Sequence, residues 1–231
     1  MEKISIGKDI ILREARALTT LAESLGEEFK EACDILLNAS GHIIITGMGK
    51  SGHIGNKIAA TFASTGTPSF FVHPAEASHG DLGMITTKNV VIAISNSGES
   101  KELLDILEYC KRNGIKLIGI TSKPKSTLAE YSNVSLITPI NEEACYLNLA
   151  PTSSTTMSLA LGDALAVALY SNREFSKEDF GFYHPGGKLG RQLIKVQDVY
   201  RSKSEIAVVN IEATIKDAIL EINDMNQKQD I

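Results

Sequence analysis

The sequence predicts an α/β protein, doubly wound around a five-stranded parallel sheet, with two helices ahead of the sheet and a short tail behind it. Three observations carry this. Runs at residues 42–46, 69–72, 90–95, 117–121 and 134–137 are short, β-branched and continuous in apolarity rather than alternating, as parallel strands buried on both faces must be. Segments of helical periodicity at 52–64, 100–113 and 127–131 separate most of these runs, so the chain reads as repeated strand–helix–strand units. The first and third runs end in turns rich in glycine and serine, at the strand ends where such sheets bind ligands.

The remaining elements follow from the same patterning. Ahead of the sheet, Ile10, Leu12, Ala15, Leu18 and Leu21, then Phe29, Ala32 and Leu36, recur at helical spacing on either side of Gly26, which predicts two consecutive helices. The 100–113 helix ends at Asn113-Gly114, a suitable C-terminal cap. A long helix is expected from about Thr152 to Tyr170. Beyond Val196 the texture changes to one short strand at 206–209, one helix at 214–225 and a polar end. One strand and one helix cannot bury a core alone. The chain therefore divides into 1–40, helices packing on the core; 41–196, the main domain; and 197–231, a tail that must dock on the main domain, dock on another subunit or stay mobile.

Composition removes several function classes. With 43% hydrophobic and 22% charged residues over 231 positions, the chain is an ordinary globular protein of one main domain. A net charge of −5 provides no basic field for a phosphodiester backbone, so nucleic acid is not an expected partner. Cys33, Cys110 and Cys145 are odd in number and lack CxxC spacing, which fits a reducing cytoplasm better than a disulfide framework or zinc finger. Charges interrupt the apolar N-terminal residues early, and Asp163 interrupts the longest apolar run, 159–169. Neither a signal peptide nor a membrane span is expected.

Chemistry is expected at the two turns. Gly47-Met48-Gly49-Lys50-Ser51-Gly52 lets a ligand approach the backbone and leads into a helix whose first N–H groups are free for an anion. It has neither P-loop spacing nor the acidic residue that completes a dinucleotide fingerprint, and a glycine turn that serves only strand-to-helix packing would look the same. Ser95-Asn96-Ser97-Gly98-Glu99-Ser100 places three hydroxyls and an amide at a second helix mouth, more than capping requires and well suited to a phosphate monoester.

The pair TGMGKSG and ISNSGES, in this order, resembles the sugar isomerase (SIS) domain. The segments ATFASTGTPSFFVHPAEASHGDLGM, EACYLNLAPTSSTTMSLALGDALAVAL and FYHPGGKLGRQL are similar to those of arabinose-5-phosphate isomerases, and the likeness extends from about Ile10 to Arg201. The resemblance implies a three-layer αβα fold and interconversion of D-ribulose 5-phosphate with D-arabinose 5-phosphate, in the route to the eight-carbon acid sugar of lipopolysaccharide or capsule. It also implies a tetramer. An isomerase of another phosphosugar and a non-catalytic sugar-phosphate sensor are the competing classes; the absence of a helix-turn-helix segment or basic patch ahead of the domain disfavours the sensor.

The resemblance places catalytic roles on Lys50, Glu102, Glu143 and His184. Glu143 is the expected base for the carbon-bound proton and Glu102 the runner-up, an order the residues alone leave open. Lys50 would stabilise an enediolate or the phosphate, and His184 would open the sugar ring or shuttle a proton between oxygens. Substrate contacts are implied at Ser51, Gly66, Thr67, His73, His79, Ser95, Asn96, Ser97 and Ser100. The chemistry requires no cofactor. His73, Glu76 and His79 together reach the ligand count of a zinc site, and the resemblance implies an inhibitory divalent metal at His73. Residues 196–225 resemble the opening strand and helix of a CBS module, whose remainder is missing.

Overall fold

The computed structural model describes residues 2–140, 142–187, 200 and 206–229, in two compact units, residues 1–183 and 184–231. The expected division at 196/197 lies outside the described residues.

In the first unit, strands β1 (Ile43–Gly47), β2 (Ser69–Val72), β3 (Val90–Ile94), β4 (Lys116–Thr121) and β5 (Val134–Ile137) form one parallel sheet in the order β2-β1-β3-β4-β5. The central β1 and β3 are buried throughout because both faces are covered, while the edge strands β2 and β5 are only partly buried. Ile43, Ile45, Ile92, Ile94, Ile118 and Ile120 pack against one helical layer, while the intervening Ile44, Val91, Ala93 and Leu117 pack against the other. The first layer contains α1 (Lys3–Ser24), α2 (Glu27–Leu37), α3 (Lys50–Ser64) and α7 (Ser153–Asn172); the second contains α4 (Pro74–Ala77), α5 (Leu104–Asn113) and α6 (Thr127–Tyr131). The expected three-layer α/β architecture is present, and the N-terminal helices contribute Leu21, Ala32 and Leu36 to its core.

Helix α7 explains the apolar stretch at 159–169. It packs against α1, α2 and α3, so Met157, Leu161, Leu165, Ala166 and Leu169 are all buried, as in a helix surrounded by neighbours rather than lying on a surface. No helix among the described residues is long and apolar enough to cross a membrane. Asp163 emerges at the edge of this helix and pairs with Lys57 of α3.

Several boundaries differ from expectation. Helix α1 begins at Lys3, and α3 begins at Lys50 rather than Gly52. The helix expected from Ser100 starts as a 3-10 turn, Lys101–Leu103, before α5; α5 closes on Gly114 at φ 64°, the left-handed cap expected there. Short α8 (Lys177–Tyr183) has no counterpart in the sequence reading. In the second unit, α9 spans Ile215–Gln229, with Asp217 accepting hydrogen bonds from the Thr214 backbone and hydroxyl. The strand expected at 206–209 does not form. A strand needs a neighbour for its backbone groups, every strand of the described residues belongs to the first unit, and Ile206, Val208 and Val209 remain 44%, 55% and 41% exposed.

The α3–α7 contact depends on Gly162, where an added Cβ would lie 2.4 Å and 2.5 Å from Cδ1 and Cγ1 of the fully buried Ile58. Gly162→Ala is expected to destabilise the fold by about 1–3 kcal/mol through overpacking, measured as a lowered urea midpoint with unchanged m-value.

Candidate active site

The β1–α3–β2 crossover lies on one face of the sheet and the β3–α5–β4 crossover on the other, so winding reverses between the adjacent strands β1 and β3. At such a reversal the two connections leave in opposite directions and a crevice opens beyond the strand ends. Both turns singled out in the sequence lie here.

The first turn is built on glycine. Gly49 precedes α3 with φ 59° and ψ −125°, a conformation that a Cβ disfavours. A Cβ on Gly52 would lie 2.6 Å from the Gly47 carbonyl oxygen. No side chain caps the start of α3, and its first N–H groups remain open to an anion. Lys50 projects from this first turn into solvent, and nothing among the described residues pairs with its ammonium.

The second turn is internally bonded. Ser95 Oγ and Ser100 Oγ lie 2.8 Å apart, and Gly98 N donates to Ser95 Oγ. Ser95 is therefore buried and committed to the turn itself. Asn96 O accepts from Ser122 N and Oγ, while Gly98 sits so close to Ser126 that a Cβ would meet its Oγ at 2.0 Å. The side chains of Asn96 and Ser97 are left facing outward.

Between these turns lies a cavity of about 170 Å³, lined by Lys50, Ser51 and Asn96 and, from the start of α7, Ser154, Thr155 and Ser158. The sequence reading does not single out these α7 hydroxyls as ligand-facing. Their signal is the Pro-Thr-Ser-Ser-Thr-Thr run at 151–156, which by itself suggests only a helix opening.

Glu143 stands behind this wall. Its Oε2 accepts from Thr152 N at 2.8 Å, Thr152 Oγ1 at 3.1 Å and Ser154 N at 3.1 Å, capping α7. Burial pushes its carboxyl up, but the hydrogen bonds from Ser154 and Thr152 outweigh burial and hold it below the usual carboxylate range. It borders a second cavity, of about 310 Å³, which Arg13, Arg16, Thr20 and Glu142 also line. Glu102 is exposed on the 3-10 turn ahead of α5. His184 belongs to the second unit, where its carbonyl accepts from Gly187 N.

Other expected residues lie elsewhere. Gly66 and Thr67 form the connection from α3 into β2, and Ile43 N donates to the adjoining Pro68 O, so they sit at the amino edge of the sheet, opposite the crevice. Thr67 is 3% exposed and accepts from Arg173 Nη1 at 2.9 Å; Gly66 faces the Phe175 ring. A single chain does not bring them to Lys50. His73 and His79 flank α4, just past the carboxyl end of β2, with His73 edge-on to Phe71. The three-ligand arrangement of His73, Glu76 and His79 does not assemble: His73 Nδ1 is buried without a partner, and no group of three His, Cys, Asp or Glu among the described residues is disposed to hold a metal ion. Helix α4 carries Glu76 between the histidines, which disperses the three side chains.

The SIS domain model matches residues 35–168, which include both turns and the start of α7. The chain belongs to the SIS domain family. It is 56% identical over 215 residues to the arabinose 5-phosphate isomerase KdsD of Francisella tularensis and 51% identical over 217 residues to that of Yersinia pestis, covering 91% and 94% of this chain. It spans 66% of the length of each of these curated relatives. Among solved structures it is similar to E. coli CFT073 c3406 in complex with arabinose 5-phosphate, at 45% identity and a TM-score of 0.77, covering 80% of this chain and all of that one.

Helix α1 lies ahead of the matched SIS residues yet holds the loop that carries Glu143. Asp9 Oδ2 accepts from Arg13 Nε at 2.9 Å and from Tyr146 Oη at 3.1 Å, while the Arg13 guanidinium stacks 5.4 Å from the Tyr146 ring centroid. The loop is thus fixed from α1 on one side and from α7 on the other. Glu143→Ala is expected to cost about 1 kcal/mol at neutral pH through loss of the α7 cap. Because the folded pKa of Glu143 is depressed, its contribution is fully present above the unfolded value of about 4.3 and is lost as pH falls through the folded value. Urea unfolding should show the wild type and variant converging in strong acid; a gap of constant size down to about pH 2 would contradict the assignment.

Proposed function

We propose that this chain is an aldose–ketose isomerase that interconverts D-ribulose 5-phosphate and D-arabinose 5-phosphate, providing the pentose for 3-deoxy-D-manno-octulosonate synthesis. The observation that carries the proposal is an anion-receptive crevice at the sheet's winding reversal, in a chain more than half identical to curated arabinose 5-phosphate isomerases. With a net charge of −5, attraction of a phosphate dianion must be local. The open α3 N-terminus, Lys50, Ser51, Asn96 and Ser97 supply it.

The reaction removes a proton from C1 of the ketose, forms a 1,2-enediolate, and returns a proton to C2, with a further proton exchanged between O1 and O2. Glu143 is the carbon base in this reading, a role carried by the resemblance: the bonds at Oε2 keep it ionised, although within one chain it borders the neighbouring cavity rather than the one lined by Lys50. Lys50 lowers the energy of the enediolate oxygen by charge. Ring opening and oxygen-to-oxygen transfer are assigned to His184 by resemblance alone. No cofactor is required. The separation of Gly66 and Thr67 from the crevice within one chain supports a homo-oligomer, proposed as a tetramer, in which neighbouring subunits complete each site. A cytoplasmic location accords with a phosphorylated substrate.

Purified, metal-free protein is expected to convert ribulose 5-phosphate in a coupled assay, faster than the other phosphosugars of a substrate panel. Glu143→Gln should lower kcat at least about 100-fold while substrate still raises the melting temperature; loss of both would mark a structural role. Ser97→Ala should raise KM with little change in kcat. Light scattering should report the oligomer, and an active monomer would remove that part of the reading.

A further inference from the structure

Glu99 presents a conflict of charge. It lies inside the 95–100 turn proposed above to hold phosphate, and an exposed carboxylate beside a dianion would repel it. The structure turns that carboxylate toward the start of α6. Oε1 accepts from Thr127 N at 2.8 Å and Oε2 accepts from Thr127 Oγ1 at 2.6 Å. A backbone bond continues the seam, Leu128 N donating to Gly98 O at 3.0 Å, while inside the turn Glu99 N donates to the Ser97 side-chain Oγ at 3.2 Å. The turn after β3 is thereby fastened to the connection after β4, which also grips it through the bonds of Ser122 to Asn96 O.

We propose that Glu99 is a positioning residue for phosphate recognition: its two-point bond to Thr127 holds the 95–100 turn in the shape that presents Asn96 and Ser97 to the substrate phosphate. This rests on the phosphate reading of that turn. The hydrogen bonds from Thr127 hold the Glu99 carboxyl below its usual range, so the bond is made by the ionised form at neutral pH. The negative charge is tolerated near the site because it is the acceptor for a backbone N–H and a hydroxyl.

The test compares four variants of the full chain, Glu99→Gln, Glu99→Ala, Thr127→Ser and Thr127→Val, by steady-state kinetics with arabinose 5-phosphate and by titration with inorganic phosphate. Gln and Ser preserve acceptor and hydroxyl; Ala and Val do not. Glu99→Ala and Thr127→Val are expected to raise KM and weaken inorganic phosphate about tenfold, with kcat within about twofold. Glu99→Gln and Thr127→Ser should stay within about threefold of the wild type. A charge that acted only through space would make Ala and Gln alike and lower KM in both, which overturns the proposal. A lowered melting temperature with unchanged KM would make the bond merely structural and also overturns it. If the wild type does not turn over arabinose 5-phosphate but binds inorganic phosphate, the isomerase reading fails while the phosphate titration still decides the role of Glu99. A wild type that binds no inorganic phosphate overturns the reading of the turn and this proposal with it.

Discussion

The reversal of winding between β1 and β3 is the constraint on which the rest of the molecule depends. Both strands are buried on both faces, so the chain can leave them only at their ends, toward opposite helical layers. The turn after β1 must clear the strand beside it: a Cβ on Gly47 would lie 3.0 Å from Ile94 O. Packing therefore favours glycine at the place where the proposed ligand would need access to backbone N–H groups. The packing demand and the binding demand are met by the same residues.

Two acidic side chains, Glu143 and Glu99, are handled in the same way. Thr152 offers its N–H and hydroxyl to Glu143, and Thr127 offers the same pair to Glu99. In each case the carboxylate replaces a missing helix-end partner, an arrangement favoured by the helix dipole as well as by hydrogen bonding. A net-negative chain can thus hold such carboxylates without leaving their charges unanswered.

The fold was legible because each strand announces itself locally. The central runs of β1 and β3, buried on both sides, have few polar positions to confuse their period, and Asn113-Gly114 marked a helix end to the residue. The site was legible as far as it is contiguous: Lys50 and Ser51 follow β1 and Asn96 follows β3, and all three face one cavity. What escaped depends on partners distant in sequence. The capping of α7 by Glu143 joins positions 9–11 apart, and the hold of Asp9 on Tyr146 spans 137. Residues 206–209 have strand-like composition, but composition does not supply a neighbouring strand. Gly66 and Thr67 entered by resemblance alone, and resemblance does not say which end of the sheet a residue occupies.

The α7 cap has an evolutionary corollary. Since Glu143 supports the first turn of α7, its proposed role as carbon base would put selection for folding and selection for turnover on one residue. A descendant that ceased to catalyse but kept this architecture would still retain the acid, so its presence in a relative is poor evidence of an active enzyme. Lys50 bears no such duty: its ammonium pairs with nothing among the described residues. Relaxed selection would be recorded there first, which makes the lysine the better marker for separating enzymes from silent relatives on the same scaffold.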